Sequence, residues 1–284
     1  MPTLKEAMIE ELLAQANYSP VMKDIVVVVR NQFDYVKKCI DSIFSNTNNF
    51  CLYVWDNGSD PETANYLKSL DGNGVFVVRS EVNEGFIIPN NRLVSQGESP
   101  YIILLNSDTE VKSGWDEALI GWLQNNSSTG IVGYEGGLIN KEGMGVNVNT
   151  GFEVDYITGW CLAMSRNTYS EIGLFDEQNL KFAYCEDTDL GLRVKEHGLG
   201  VYALNLELVL HHANITSRVV SRERNMKPEF IANHEYIRRR WKQYLSEQRI
   251  LLRYPEVENA VKTNLGEVAD KFLTNSPKNV EVAV

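Results

Sequence analysis

The chain has 284 residues, 43% of them hydrophobic and 23% charged, and a formal net charge of −11 at pH 7. This composition is typical of a globular protein with a sizeable core. The negative charge argues against general nucleic-acid binding, because phosphates require a basic surface, and no apolar run approaches the roughly 20 residues that span a bilayer.

The N-terminal segment, residues 1–22, carries acids where a secretory signal would be positively charged, and it predicts an amphipathic helix. Cysteines are scattered along the chain without the close spacing of a zinc site or a disulfide scaffold, which favours reduced, structural thiols. They are Cys39, Cys51, Cys161 and Cys185. We therefore expect an intracellular, cytoplasmic protein.

Four short apolar runs begin 26, 25 and 26 residues apart, and the segments between them have the spacing of amphipathic helices. The runs are residues 24–30, 50–56, 75–80 and 101–106. This alternation predicts a largely parallel sheet covered by helices on both faces. Ligands of such sheets bind at the carboxyl ends of the strands, so the residues after each run are expected to face a ligand.

Polar side chains follow all four runs. They are Arg30 and Asn31, then residues 56–60, then residues 83–86, then Asn106, Ser107 and Asp108. The first run is not followed by G-x-G-x-x-G, and no GxxxxGK[ST] loop occurs, so neither a dinucleotide fold nor a P-loop is indicated.

Asp108 ends an apolar strand beside two small polar residues, a pattern that suits a divalent cation which also binds substrate phosphates. The common alternative is that this trio forms a turn or caps a helix beginning near Ser113. Asp56 raises a similar choice. Its carboxylate is suited to accept an N–H of a nucleobase, whereas the ordinary role of such a residue is in a turn before a helix that begins at Asp60.

Acids also cluster where a second-half helix is expected to begin, at Glu186, Asp187 and Asp189. The helix dipole stabilises acids there without any function, but a carboxylate facing a cleft also suits a general base. The extended stretch VYALNLELVLHH ends on His211 and His212, which point to opposite faces of a strand, so only one of them is expected to face Asp108.

Residues 214–253 contain ten basic and four acidic side chains, in segments that read as helices. Such a basic surface suits an anionic membrane surface or a lipid-diphosphate acceptor. A solvated helix with charge pairs is the more frequent explanation of the pattern.

Taken in order, seven segments resemble the family 2 glycosyltransferases of the GT-A fold, particularly their rhamnosyltransferase-like branch. They are VVVVRNQ, VWDNGSDPET, NEGFIIPNN, LLNSDTEV, TGWCLAMSRNTYSEIGLFDE, EDTDLGLRVKEHG and VLHHANITS, and the resemblance covers residues 24–218. It implies an α/β protein with a Rossmann-like, mostly parallel sheet. The expected organisation is an N-terminal helical segment (1–22), a GT-A domain (23–220) and a helical C-terminal extension (221–284).

The resemblance implies inverting transfer of a sugar from a UDP-, dTDP- or GDP-sugar donor to a hydroxyl of a glycan or lipid-linked acceptor, assisted by Mn²⁺ or Mg²⁺. On the donor side it assigns Asp56 to the base and places Asn83 and the Gly85 backbone near the nucleotide. Arg30, Asn106 and Ser107 complete the expected donor site. Arg30 stands near the position where the family usually has a proline, and the alternative is that it pairs with an acid instead of holding a phosphate. Asp108 and His211 are the expected metal ligands.

The acidic pair of the family motif corresponds to Glu186 and Asp187, with Asp187 the expected base and Glu186 supporting it or contacting the acceptor. Gly159 and Trp160 are expected to wall the acceptor or the donor sugar. Asn106 stands where a D-x-D motif has its first acid, which leaves open a non-catalytic nucleotide-sugar-binding or scaffold protein. A nucleotidyltransferase is disfavoured because the first strand lacks a Gly-rich phosphate loop.

Overall fold

The structure is a computed structural model that describes residues 21–140, 143, 145–147, 153–212, 220 and 224–246. The helix expected in residues 1–22 lies outside the described residues apart from Val21 and Met22, and so does the chain beyond Ser246. The expected division into three segments therefore stays a prediction.

The first half of the chain alternates strands and helices as the sequence predicts. Its elements are β1 (Lys23–Val29), α1 (Phe33–Asn46), β2 (Phe50–Asn57), α2 (Pro61–Leu70), β3 (Val75–Ser80), α3 (Ile87–Gln96) and β4 (Tyr101–Leu105).

The second half contains shorter strands and five further described helices. Its elements are β5 (Thr109–Val111), α4 (Trp115–Asn125), β6 (Thr129–Gly133), β7 (Gly136–Ile139), β8 (Gly145–Asn147), β9 (Tyr156–Ile157), β10 (Cys161–Ser165), α5 (Arg166–Ile172), α6 (Glu186–Glu196), β11 (Gly200–Ala203), β12 (Val209–His211), α7 (Lys227–Arg240) and α8 (Lys242–Ser246).

Seven strands form the central sheet in the order β11-β6-β10-β4-β1-β2-β3. β1 pairs in parallel with β2 and β4, β2 with β3, and β6 with β11, whereas β10 is antiparallel to both of its neighbours. The predicted α/β fold with a mostly parallel sheet is confirmed. Two small antiparallel sheets, β12-β5 and β8-β7-β9, lie outside it.

The sheet separates two apolar cores, which explains why β1 is apolar without interruption. Val26 belongs to one cluster with Leu190 and Ile237, while Val27 belongs to the other with Leu119. Side chains that alternate along a strand therefore meet helices on both faces. Among the described residues, no helix has the length and apolar character needed to cross a membrane.

Two expectations about element bounds need correction. The stretch from Val201 to His212 is two strands, β11 and β12, separated by residues 204–208, rather than one extended run. The helix expected near Ser113 begins at Trp115 with Gly114 as its N-cap. Asn106, Ser107 and Asp108 therefore do not cap it, because β5 intervenes.

A buried ion pair ties the start of the sheet to α4. Lys23, the first residue of β1, pairs through its Nζ with Oδ2 of Asp116, and their side chains are only 1% and 3% exposed. Removing one partner of such a pair leaves an uncompensated buried charge.

We expect Asp116→Ala to lower the free energy of unfolding by about 3–5 kcal/mol, measured by urea denaturation. The double variant Lys23→Met with Asp116→Leu should recover most of this loss, because it removes both charges. Asp41→Asn, which breaks the exposed Lys37–Asp41 pair on α1, is the control and should cost no more than about 1 kcal/mol. Equal losses in Asp116→Ala and Asp41→Asn would contradict the expectation.

Candidate active site

A cavity of about 350 Å³ opens at the carboxyl ends of β1, β2 and β4. Ten of the twelve residues expected in the site line it, and Asp56 and Asp187 do not. The ten are Arg30, Asn83, Gly85, Asn106, Ser107, Asp108, Gly159, Trp160, Glu186 and His211.

Asn57 connects the ends of β2 and β3. Its Nδ2 donates to Oδ1 of Asn83 at 2.9 Å and to the carbonyl of Gly85 at 2.8 Å, and its Oδ1 accepts from the N–H of Glu84 at 2.7 Å. The side chain is buried and also lines the cavity. The sequence analysis included Asn57 among the polar residues after the second run but assigned it no role. In the structure, Asn57 holds the loop that carries Asn83 and Gly85.

Arg30 contacts two backbone carbonyls at the end of β2. Its Nη1 donates to the carbonyl of Asn57 at 3.2 Å and to that of Gly58. The N–H of Asn31 donates to Oγ of Ser59 at 2.9 Å. These bonds join the ends of β1 and β2, so the guanidinium lies at the cavity wall in a defined position.

Asp56 is buried behind this wall. Its Oδ1 accepts from the N–H of Ser59 at 2.8 Å, and its Oδ2 pairs with Nη1 of Arg79. Arg79, which sequence reasoning did not single out, lies opposite Asp56 in the β2–β3 register. Both carboxylate oxygens are therefore engaged, and contact with a base requires Arg79 to share or release Asp56.

Asp108 and His211 face each other in the cavity, with Nε2 of His211 3.4 Å from Oδ1 of Asp108. The antiparallel pairing of β12 with β5 sets His211 opposite Thr109 and so beside Asp108. His212 turns the other way, as alternation along a strand dictates, and its Nε2 lies 2.7 Å from Oε1 of Glu110.

This pair suits a divalent cation that completes its coordination with ligand oxygens and water. Among the residues that the structure describes, no group of three or more His, Cys, Asp or Glu side chains is placed to hold a metal. Asp108 and His211 would thus be two protein ligands, and a mixed carboxylate and imidazole set suits Mn²⁺ better than Mg²⁺, which prefers oxygen.

Trp160 orients the imidazole of His211. The two rings stack with centroids 4.8 Å apart and planes 20° apart. The indole N–H donates to Oε2 of Glu135 at 3.3 Å, and the ring of Tyr134 stacks with the indole at a centroid distance of 6.5 Å. One face of the indole that was expected to wall a sugar is therefore covered by the imidazole.

The acidic pair begins α6. The N–H groups of Gly159 and Thr188 donate to the Asp187 carboxylate at 3.2 and 2.7 Å. Glu186 is 7% exposed, and its Oε2 has no hydrogen-bond partner among the described residues.

These environments act differently on the pKa values of the two carboxyl groups. Burial raises the pKa of Glu186, and the neighbouring charge of Asp187 raises it further. Burial also raises the pKa of Asp187, but the N–H bonds from Thr188 and Gly159 oppose that rise. Asp187 is therefore the member of the pair that ionises more readily, while Glu186 favours the neutral acid.

The loop before α6, residues 181–185, has an unusual backbone. Phe182, Tyr184 and Cys185 have φ of 64°, 78° and 69°. Each costs about 1–2 kcal/mol for a residue with a side chain. The segment KFAYC contains no glycine, so sequence reasoning had no signal for this conformation.

Gly85 lies directly against this loop. A Cβ on Gly85 would lie 2.5 Å from the carbonyl oxygen of Phe182, and Gly85 has φ of +85°. The N–H of Phe86 donates to the same oxygen at 2.7 Å. The donor-side loop and the 181–185 loop are thus joined through backbone atoms.

Part of the cavity lining is apolar or aromatic. It includes Phe86, Phe182, Tyr184, Val220 and Met226, and the last two come from the C-terminal part of the chain. Together with the polar groups at the strand ends, these side chains provide contacts for both a charged and a hydrophobic part of a ligand.

Comparisons with known proteins concern the family and the fold. Residues 24–136 match the family model described as Glycosyl transferase family 2. The O-antigen biosynthesis protein RfbC of Myxococcus xanthus is 25% identical over 227 residues, which are 68% of this chain and 17% of that protein.

The N-acetylglucosaminyl-diphospho-decaprenol L-rhamnosyltransferase of Mycobacterium tuberculosis is 39% identical over 66 residues, which are 23% of this chain and 21% of the relative. The chain therefore spans about a fifth of the length of these curated relatives.

A crystal structure of GalNAc-T7 with UDP, GalNAc and Mn²⁺ superposes with a TM-score of 0.63 at 14% identity, covering 89% of this chain and 54% of that one. At this identity the likeness concerns the fold alone, and it confirms the GT-A fold.

Glu186→Gln should raise the melting temperature, and more at pH 8.5 than at pH 6. Because the folded pKa is raised, ionising Glu186 costs folding free energy above its unfolded pKa of about 4.3, and this cost grows until the folded pKa is passed. The neutral amide of glutamine avoids this cost. Each kcal/mol of folding free energy corresponds to roughly 2–4 °C in melting temperature for a protein of this size. Calorimetry at both pH values measures the difference.

Exposed Glu98, in the loop before β4, is the matched control. Glu98→Gln should leave the melting temperature unchanged at both pH values. A Glu186→Gln gain that is absent, or equal at pH 6 and pH 8.5, would show that Glu186 is not held in its neutral form.

Proposed function

We propose that this chain, whose residues 24–136 match the model of glycosyl transferase family 2, transfers a sugar from a nucleotide-sugar donor to a hydroxyl group of a glycan or lipid-linked acceptor. The observation that carries the proposal is that a cation-binding pair, Asp108 and His211, lines one cavity with Glu186. Asp187 follows Glu186 in the first turn of α6 and completes an acidic pair beside that cavity. A binding protein needs the first pair but has no use for the second.

On the donor side, Asp108 and His211 hold a Mn²⁺ or Mg²⁺ ion. When bound, the ion supplies positive charge to the diphosphate that leaves the sugar. Arg30, Asn57 and Asn83 lie along the same wall and position the nucleotide, with Asn106 and Ser107 beside the diphosphate. The GalNAc-T7 structure with UDP and Mn²⁺ supports this donor class and cation.

On the acceptor side, Asp187 is the base. It is held by two backbone N–H groups and ionises more readily than its neighbour, so its carboxylate is ready to take the proton of an attacking hydroxyl. Glu186 remains neutral and donates a hydrogen bond to the acceptor. A base opposite the departing diphosphate favours one in-line displacement, which inverts the anomeric centre.

The names of the relatives favour a lipid-linked acceptor in surface-polysaccharide synthesis. The apolar side chains in the cavity lining, among them Phe86, Phe182 and Met226, support an acceptor with a hydrophobic part.

Ion pairs within the protein reduce the attraction of the basic C-terminal segment, residues 214–253, for an anionic membrane. Two of its cations have intramolecular partners, because Arg224 pairs with Glu229 and Arg240 lies 3.5 Å from Asp189.

A non-catalytic nucleotide-sugar-binding protein is the second candidate. Asn106 in place of an acid and the engagement of Asp56 by Arg79 favour it. The enzyme and the binding protein differ in turnover and not in nucleotide binding, so both turnover and binding need to be measured.

Asp108→Ala should weaken Mn²⁺-dependent binding of the cognate nucleoside diphosphate by roughly tenfold to a hundredfold, because it removes a charged ligand of the cation. His211→Ala should also weaken it. The measurement is calorimetric titration of UDP, dTDP and GDP with and without Mn²⁺. His212→Ala is the control, since its side chain turns to Glu110, and it should bind as the wild type does. Unchanged affinity in Asp108→Ala would exclude this residue as a metal ligand.

The wild type should release nucleoside diphosphate from one donor in a panel of UDP-, dTDP- and GDP-sugars. Asp187→Asn should lower the rate of this release by roughly a thousandfold or more, while Mn²⁺-dependent nucleotide binding persists. Glu186→Gln should lose much less, because a glutamine amide donates a hydrogen bond as the neutral acid does. The reverse ranking would exchange the two roles. Nucleotide binding without turnover, with lipid-linked acceptors present, would support the binding protein.

A further inference from the structure

We propose that Asn233, on α7, is a positioning residue for the acceptor side of the cavity, which holds the 181–185 loop in the backbone conformation that presents Glu186 and Asp187. The inference rests on the proposed function and assigns part of the active site to the C-terminal helix.

The side chain of Asn233 hydrogen-bonds to the loop with both ends of its amide. Its Oδ1 accepts from the N–H of Lys181 at 2.9 Å. Its Nδ2 lies 2.9, 2.9 and 3.0 Å from the carbonyl oxygens of Lys181, Ala183 and Tyr184, toward which its two N–H bonds donate. One side chain thus meets four backbone atoms of a five-residue segment.

The loop depends on such a partner because its own backbone cannot form a helix or strand. Phe182, Tyr184 and Cys185 lie in the left-handed region, which residues with a Cβ adopt only when surrounding contacts impose it. Carbonyl and N–H groups turned inward by this conformation must be hydrogen-bonded. Asn233 is fully buried, with 0% of its surface exposed, and satisfies four of them.

An asparagine fits this position and a near-isosteric aspartate does not. The site presents one N–H donor and three carbonyl acceptors, which match an amide oxygen and an NH₂ group. A carboxylate has no N–H to donate and would face three carbonyl oxygens with a negative charge.

Docking of α7 does not depend on Asn233 alone. Ile237 and Trp241 are buried in the core, and the indole N–H of Trp241 donates to Oδ1 of Asp189 at 3.0 Å. The hydroxyl of Tyr236 donates to Oδ2 of Asp176 at 2.7 Å. A substitution at Asn233 is therefore expected to release the loop while α7 stays in place.

Release of the 181–185 loop should disturb the nucleotide-binding residues less than it disturbs Glu186 and Asp187. Asp108 directly precedes β5 and His211 ends β12, and these two strands pair with each other. The loop with Asn83 and Gly85 contacts Phe182, but Asn57 holds it independently of Asn233. Glu186 and Asp187 follow the loop directly in the chain. The expected signature is a loss of turnover with little loss of nucleotide affinity.

The test compares Asn233→Ala and Asn233→Asp with the wild type in kcat for transfer and in Mn²⁺-dependent nucleoside diphosphate affinity. Both variants should lose roughly tenfold or more in kcat, with affinity changed by less than about threefold, since misplacing a catalytic group affects chemistry more than binding. Asn233→Asp should be at least as defective as Asn233→Ala, because the requirement is for N–H donors. A purely packing role predicts the opposite, near-normal kcat in the near-isosteric Asn233→Asp, and that ranking would overturn the inference.

Leu119→Ala is the control for lost stability, because Leu119 is a fully buried residue of α4 in the other core cluster. Assayed below its melting temperature it should keep its kcat. If Leu119→Ala lost kcat as Asn233→Ala does, the effect at Asn233 would be general destabilisation and the inference would fail.

Hydrogen–deuterium exchange provides a readout that needs no turnover. Amides of residues 181–187 should exchange faster in Asn233→Ala than in the wild type, while β1 and β4 amides keep their protection. Unchanged exchange would overturn the inference even in an active enzyme. If the wild type transfers no sugar but exchange in the loop rises, the proposed function fails while the structural role of Asn233 is shown, and the catalytic part of the inference is overturned with the function.

Discussion

The parallel register of β1, β2, β3 and β4 is the constraint on which the rest of the site depends. Val29 lies opposite Asp56, and Asp56 lies opposite Arg79, so these three strands end at one edge. The polar loops that follow must then meet above that edge, where Arg30 and Asn57 bond to their neighbours. A shift by one residue in any pairing would turn these side chains into the core or away from the cavity.

Much of this edge was predictable from sequence because its signals are local. The apolar runs and the helical spacing between them indicate the parallel sheet, and a parallel sheet places the residues after each strand at one end. Asp108 was found in this way, whereas Glu186 was found from the cluster of acids at the expected start of α6, and both line the cavity. The alternation of side chains along β12 likewise separates His211 from His212.

What sequence did not reveal depends on contacts between distant segments. Arg79 engages Asp56 through strand pairing, and no local pattern marks it as a partner. None of the left-handed residues of the 181–185 loop is a glycine, because contacts from another element impose their conformation. Asn233 lies 52 residues from Lys181 within a helix whose basic residues suggested surface docking, and its burial appears only once α7 is placed.

The contacts of Asn233 are all with backbone atoms, and this has a consequence for how the protein can diverge. Backbone groups are the same whatever side chains a loop carries, so residues 181–185 are free to change identity while the amide that holds them is not. Variation is thereby directed to side chains such as Phe182 and Tyr184, which line the cavity. Under the proposed function, a fixed support beneath a variable surface would let the acceptor change while Glu186 and Asp187 keep their positions.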